Sequence, residues 1–161
     1  VVHKDLKPEN IVLDASGMDI KVLDFGCCVP TGLRRADVVG TFPFMAPETF
    51  VASKSMRYEP SAVDVWACAV ILLEMLCGVN QLSRMLGWSD STSATPARYG
   101  ELASYFEDRS AVRQVLAEKL GGVDNDLEEL LRGSLAVSCE HRWTAALMAE
   151  SPWLVSGLLL E

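Results

Sequence analysis

Positive charge is scarce in this sequence: 14 Lys and Arg face 22 Asp and Glu, leaving a formal net charge of −8 at pH 7. A surface that tracks nucleic-acid phosphates needs clustered Lys and Arg, so nucleic acid is excluded as the first partner to consider. Histidine is scarcer still, with only His3 and His141. The five cysteines, Cys27, Cys28, Cys68, Cys77 and Cys139, make no C-x-x-C pair and stand at no zinc-finger distance from either histidine, which excludes a structural zinc site. An odd number of cysteines also argues against a disulfide framework, and reduced thiols fit an intracellular, cytoplasmic protein. Long uncharged runs are missing too. The most apolar stretch, residues 62–78, is broken by Asp64 and Glu74 and falls short of the roughly 18 uncharged residues of a spanning helix. A buried helix is expected there, and no membrane span. The opening Val1-Val2-His3-Lys4-Asp5 has no initiator Met, no basic leader with an apolar core and no small-residue cleavage site, so the sequence reads as cut from something longer. No segment repeats, which excludes a solenoid.

What remains is a chain of 161 residues, 50% hydrophobic with a mean hydropathy of +0.20, enough for one core and one domain. Ile11-Val12-Leu13-Asp14 and Ile20-Lys21-Val22-Leu23 are short β-branched runs around a turn-like Ala15-Ser16-Gly17-Met18-Asp19, and predict a small hairpin. Between Cys27 and Pro47 no period holds, and Pro30, Gly32, Gly40, Pro43 and Pro47 punctuate a long irregular loop. Ser61 to Met75 is apolar on nearly every face and predicts a helix surrounded by other elements. The small polar run from Ser89 to Pro96 predicts a mobile surface insertion. Beyond it, near-helical spacing through residues 102–106, 112–120, 127–131 and 145–148, with Gly121-Gly122 and Gly133 as stops, predicts a helical second half.

The chemistry concentrates at the start. His3-Lys4-Asp5-Leu6-Lys7-Pro8-Glu9-Asn10 brings a carboxylate, an ammonium and an amide together just before the first strand. Asp5 can accept a proton from an attacking hydroxyl, Lys7 can neutralise charge on a moving phosphoryl group, and Asn10 offers a carbonyl oxygen to Mg²⁺. Alone, such a turn is more often only a turn. Asp24-Phe25-Gly26 after the second strand adds another hard carboxylate beside the same hairpin.

With these residues in place, the sequence resembles the eukaryotic protein kinase family of the Ser/Thr type, through the HRD-x-K-x-x-N loop and the DFG triplet. The resemblance continues through Gly40-Thr41-Phe42-Pro43-Phe44-Met45-Ala46-Pro47-Glu48, through Asp64-Val65-Trp66 and through His141-Arg142-Trp143-Thr144-Ala145, all in family order. It implies a mainly α fold, the helical C-terminal lobe of a kinase with a small β-hairpin next to the catalytic loop. Residues 1–161 would then be a partial kinase domain whose N-terminal lobe is absent.

The resemblance also implies roles. Asp5 would be the catalytic base and Lys7 the contact to the γ-phosphate, while Asn10 and Asp24 would hold Mg²⁺ for ATP. Val12 would lie under the adenine, with Ile71 and Met75 supporting it; plain core packing fits all three equally. His3 and Phe25 would belong to a hydrophobic stack between the lobes. Asp64 would hydrogen-bond the catalytic-loop backbone, and Glu48 would pair with Arg142. Lys7 with Thr41 matches the Ser/Thr pattern, so the partner would be a protein substrate with a Ser or Thr acceptor. Glu9 matches a position that meets basic residues near that acceptor, and the acidic charge favours such peptides. Cys27 reads as a packed thiol. A non-catalytic kinase-like interaction module and a small-molecule phosphotransferase stay open as alternatives.

Three departures matter. Lys4 replaces the usual Arg before the catalytic Asp, and Asp37 stands at the usual phosphoacceptor position, so a Lys4–Asp37 contact is expected to replace an activating phosphorylation. Thr31 remains another possible acceptor of phosphate. Ala69 stands where the central helix normally has Gly. Finally, no Gly-rich loop and no ATP-positioning Lys are present, so the fragment is expected to be inactive alone and to expose the apolar surface that meets the missing lobe.

Overall fold

The computed structural model describes residues 1–17, 19–88 and 95–158. The chain is mainly helical with one two-stranded antiparallel sheet, β1 (Ile11–Leu13) and β2 (Ile20–Val22), in the register Ile11↔Val22, Val12↔Lys21 and Leu13↔Ile20. Both strands sit where their β-branched runs predict. Among the described residues eight α-helices follow: α1 (Pro47–Phe50), α2 (Ser61–Cys77), α3 (Gln81–Met85), α4 (Pro96–Glu107), α5 (Ala111–Leu120), α6 (Asn125–Ser134), α7 (Ala145–Ala149) and α8 (Pro152–Leu158).

The organising element is α2. Val63, Val65, Trp66, Ala67, Ala69, Val70, Leu73 and Cys77 are buried on several of its faces, because α3, α5, α6 and α7 all pack against it. A helix that is apolar all round is stable only when surrounded in this way. Trp66 meets Phe106 edge-on at 6.0 Å, and Leu102, Leu116, Leu127 and Leu131 complete the core from the later helices.

Polar side chains start several of these helices. The Asp124 carboxylate accepts from the backbone N–H groups of Asp126 and Leu127, and Thr144 Oγ accepts from Leu147 N–H, so otherwise unpaired donors of the first turn are satisfied. Residues 89–94 of the predicted insertion lie outside the described residues. Thr95 and Pro96, assigned by sequence to that insertion, instead open α4: Thr95 is its N-cap and Pro96 stands in its first turn.

A second difference concerns Gly133, expected to stop a helix. It lies inside α6, which runs on to Ser134. The Trp143 ring covers it, and a Cβ there would fall 2.3 Å from the ring. Close packing rather than chain reversal explains this glycine. The irregular stretch before α1 is pinned by two isolated bridges, Val2↔Val29 and Arg35↔Tyr58.

Candidate active site

The candidate catalytic residues that open the chain are held from below by α2. Asp64 Oδ2 accepts from His3 N–H at 2.7 Å and Oδ1 from Lys4 N–H at 2.8 Å. Burial raises the Asp64 carboxyl above the usual carboxylate value, and these two backbone donors only partly oppose that shift. The bonds also hold Lys4 in a left-handed conformation, φ 70°, which side-chain-bearing residues seldom adopt. Gly40 packs against this point with φ 126°, and a Cβ on it would stand 3.2 Å from Lys4 O and 3.0 Å from Met45. The loop and the segment before Met45 approach this closely because Gly40 has no side chain.

Above this anchor three polar groups close a triangle. Lys7 Nζ lies 3.0 Å from Asp5 Oδ2 and donates to Thr41 Oγ at 2.7 Å, while Thr41 Oγ donates to Asp5 Oδ1 at 2.8 Å. Asn10 is buried, and its Nδ2 donates to Asp5 O at 2.9 Å. That bond orients the amide and leaves its Oδ1 as an oxygen donor. Leu23 N–H donates to Asn10 O at 2.8 Å, so strand pairing brings the chain leading into Asp24 to the Asn10 end of the hairpin. Asp24 is also left-handed, φ 60°, with Oδ1 accepting from Gly26 N–H at 3.3 Å. An amide oxygen and a carboxylate are hard donors suited to Mg²⁺, which takes few protein ligands and completes its shell with water and phosphate oxygens. Among the described residues no group of three His, Cys, Asp or Glu side chains forms a closed metal site.

His3 and Phe25 meet edge-on at 5.3 Å, with His3 Nε2 2.9 Å from Leu23 O. Phe25 nevertheless remains 62% exposed; Leu13 and Ile20 are exposed on one face of the hairpin and Val12 on the other, and Leu23 is exposed just after β2. On α2, Ile71 is half-buried and Met75 is exposed. The half-buried Cys28 thiol is pushed up mainly by burial, and its Sγ lies 3.8 Å from His3 O. Cys27 is half-buried.

Two ion pairs fasten the segment that runs from Asp24 to Glu48. Lys4 Nζ donates to Asp37 Oδ2 from an almost fully buried position. Burial alone would raise the Asp37 carboxyl, but the Lys4 hydrogen bond, aided by a backbone hydrogen bond and the charges of Lys4 and Arg35, holds it below the usual value. Arg142 meets Glu48 with two bonds of 2.8 Å, both side chains buried. Thr31 is exposed.

Sequence reasoning did not find Glu74. This half-buried carboxyl on α2 accepts from Asn80 N–H at 3.0 Å, and it is raised chiefly by burial and further by the negative charge of Glu9. Glu9 itself is exposed. Their nearness has no sequence signal, since 65 residues separate them. No helix among the described residues is long and apolar enough to cross a membrane.

Comparison with known proteins places the chain in a family. The family described as the protein kinase domain matches residues 1–154. Calcium-dependent protein kinase 21 of Oryza sativa subsp. japonica is 35% identical over 96% of this chain and 25% of its own length. Serine/threonine-protein kinase hal4 of Schizosaccharomyces pombe is 41% identical, covering all of this chain and 24% of its own. The phosphorylase b kinase gamma catalytic chain of the mouse liver/testis isoform is 30% identical over 95% of this chain and 37% of its own. The chain thus spans roughly a quarter to a third of the length of these relatives. With the protein kinase domain matched over residues 1–154 and relatives 35% and 41% identical over nearly all of its length, the chain belongs to the eukaryotic protein kinase family.

Proposed function

We propose that this chain is the catalytic half of a kinase domain that transfers the γ-phosphoryl group of ATP to Ser or Thr hydroxyls of protein substrates. The observation that carries this reading is the Asp5–Lys7–Thr41 triangle. Two neighbours fix the Asp5 carboxylate in one orientation, so it is set to accept the proton of an incoming hydroxyl. Lys7 then supplies positive charge where the phosphoryl group moves, and such a reaction asks for positioning and charge more than for covalent help. Asn10 and Asp24 are the residues that would hold Mg²⁺, which neutralises charge on the nucleotide phosphates when bound.

The rest of the site supports the same reading. Val12, 38% exposed on β1, offers apolar surface for the adenine, with Ile71 and Met75 on α2. The exposed apolar side chains around the hairpin, Val12, Leu13, Ile20, Leu23 and Phe25, suit contact with the N-terminal lobe of the same polypeptide. All five cysteines are free thiols, in keeping with an intracellular, cytoplasmic setting. Glu9 and Glu74 form an acidic pair suited to a basic residue near the acceptor hydroxyl. The buried Lys4 ammonium is occupied by Asp37, so the segment is held without phosphorylation at that position.

The test is peptide phosphorylation by the full-length protein with Mg²⁺ and ATP. Asp5→Asn is expected to lower kcat by about a thousandfold, the range for losing a general base together with its charge. An inactive wild type with an intact, folded nucleotide lobe would instead leave the chain as a non-catalytic interaction module.

A further inference from the structure

Away from the catalytic triangle, the chain gathers unpaired positive charge around one cavity. An open cavity of about 450 Å³ is lined by Arg34, Lys54 and Arg57 together with Glu48 and Glu140. The three cations are exposed, and none of them takes part in an ion pair or side-chain hydrogen bond among the described residues. Glu48 is already neutralised by its two bonds to Arg142. Among the described residues that line the cavity, only Glu140 then opposes the three cations, so this lining carries an excess of two positive charges.

This concentration stands out in a chain of net charge −8. Nothing in the core requires it. The backbone here is fixed rather than incidental: Arg35 and Tyr58 exchange two backbone hydrogen bonds of 2.9 Å as an antiparallel bridge, which holds Arg34 and Arg57 at diagonal positions on either side of it, from distant parts of the chain. The Tyr58 hydroxyl donates to Asp37 O at 2.9 Å and ties the same bridge to the segment under the catalytic loop.

We propose that this cavity binds a phosphorylated side chain of a partner protein. A phosphate monoester carries close to two negative charges at neutral pH and presents three strong acceptor oxygens, which matches the excess charge of the cavity. Two guanidinium groups suit phosphate because each can donate two parallel bonds, and the Lys54 ammonium adds a point charge. A carboxylate would satisfy half of that excess. A nucleic acid is a poor fit, since the remainder of the chain is acidic and would repel its neighbouring phosphates. A cavity of this size takes one side chain rather than an extended surface. The phosphate it receives is the product of phosphoryl transfer to a protein hydroxyl, so a kinase reaction must act on the partner first.

The inference does not depend on turnover by this chain, and binding tests it directly. A fluorescent phosphoserine peptide with neutral flanks, its unphosphorylated form and its Glu form would be titrated into the full-length protein, with and without phosphatase treatment of the protein. The phosphopeptide is expected to bind at least about tenfold more tightly than either other form, and Arg34→Gln with Arg57→Gln to remove roughly that tenfold, as loss of charge-assisted bonds predicts. Arg109→Gln, an exposed arginine outside this cavity, should leave affinity unchanged. Inorganic phosphate should compete, and added salt should weaken binding.

Equal affinity for the three peptides, or phosphopeptide binding indifferent to Arg34 and Arg57, would overturn the proposal. Peptide binding seen only after phosphatase treatment would place the phosphate on this chain itself and overturn the assignment to a partner. Binding to anionic lipid vesicles with none to the peptide would overturn it as well.

Discussion

The two ion pairs that hold the segment before α1 differ in almost every physical respect. Arg142 and Glu48 are both buried, and each N–H of the guanidinium has an acceptor: Glu48 twice, then Ala62 O, Ala136 O and Val137 O. The same group lies 5.1 Å from the centre of the Trp66 ring. Lys4 and Asp37 share a single contact, and the Asp37 side chain is 45% exposed. A buried charge with every donor satisfied tolerates no loss of its partner, whereas a half-exposed carboxylate can exchange its partner for water. The first pair therefore acts as a fixed anchor and the second as an adjustable one.

The most severe way to break that contrast is Arg142→Ala. It strands Glu48 in the core and leaves three carbonyls short of a donor, so a loss of about 3–5 kcal/mol is expected in urea unfolding of the full-length protein. Arg142→Lys keeps the charge but cannot make the two-pronged contact, and it should restore only part of the loss. A change under about 1 kcal/mol for Arg142→Ala, the range of a solvent-exposed pair, would show that Arg142 and Glu48 are not a fixed anchor.

Asp64→Ala comes next. It removes the acceptor of two backbone N–H groups, at His3 and Lys4, and roughly 2–4 kcal/mol is expected from two hydrogen bonds to a charged group. Because those bonds hold Lys4 in its left-handed conformation, kcat should fall with stability. Unchanged kcat in a destabilised Asp64→Ala protein would mean that the catalytic loop keeps its shape without α2.

Asp37→Ala removes the half-exposed partner but leaves the almost fully buried Lys4 ammonium without its carboxylate, so roughly 1–3 kcal/mol is expected in stability, less than for Arg142→Ala, while kcat falls severalfold because the segment is freed from Lys4. The pH dependence has a definite sign. The Asp37 carboxyl is lowered in the folded state, so its contribution is complete above the ordinary carboxylate value of about 3.9 and is lost as pH falls through the lowered folded value. The stability difference between wild type and Asp37→Ala should therefore be constant at neutral pH and shrink only in strong acid. A difference that disappeared near pH 6 would point to another titrating group.

Much of this architecture was readable beforehand, for reasons that differ by region. The hairpin was readable because Ile11-Val12-Leu13 and Ile20-Lys21-Val22 are β-branched around a turn, and α2 because its apolar residues are too dense for any exposed helix. Gly133 was misread because sequence alone cannot separate a glycine that ends a helix from one that admits a ring such as Trp143. Motif order brought Asp5, Lys7, Asn10 and Asp24 to attention, yet the bridging position of Thr41 between Asp5 and Lys7 depends on the close approach of Gly40, which no local pattern reports. Glu74 and the cavity cations were unreadable because their neighbours come from remote parts of the chain.

The smallest expected effect is at Glu9 and Glu74, and it sharpens the contrast between fixed and adjustable charges on the substrate side. Glu74 is half-buried and held by Asn80 N–H, while Glu9 is exposed and has no such support. On a peptide array, Glu74→Gln should reduce selection for Arg near the acceptor by about threefold and Glu9→Gln by less, because an exposed charge is more fully screened. The two effects should couple, since the Glu9 charge raises the cost of ionising Glu74 and a bound guanidinium relieves it. Raising the salt should diminish the Glu9 contribution before the Glu74 contribution. Unchanged Arg selection in the double variant would remove the acidic pair from substrate recognition and leave the Asp5 chemistry untouched.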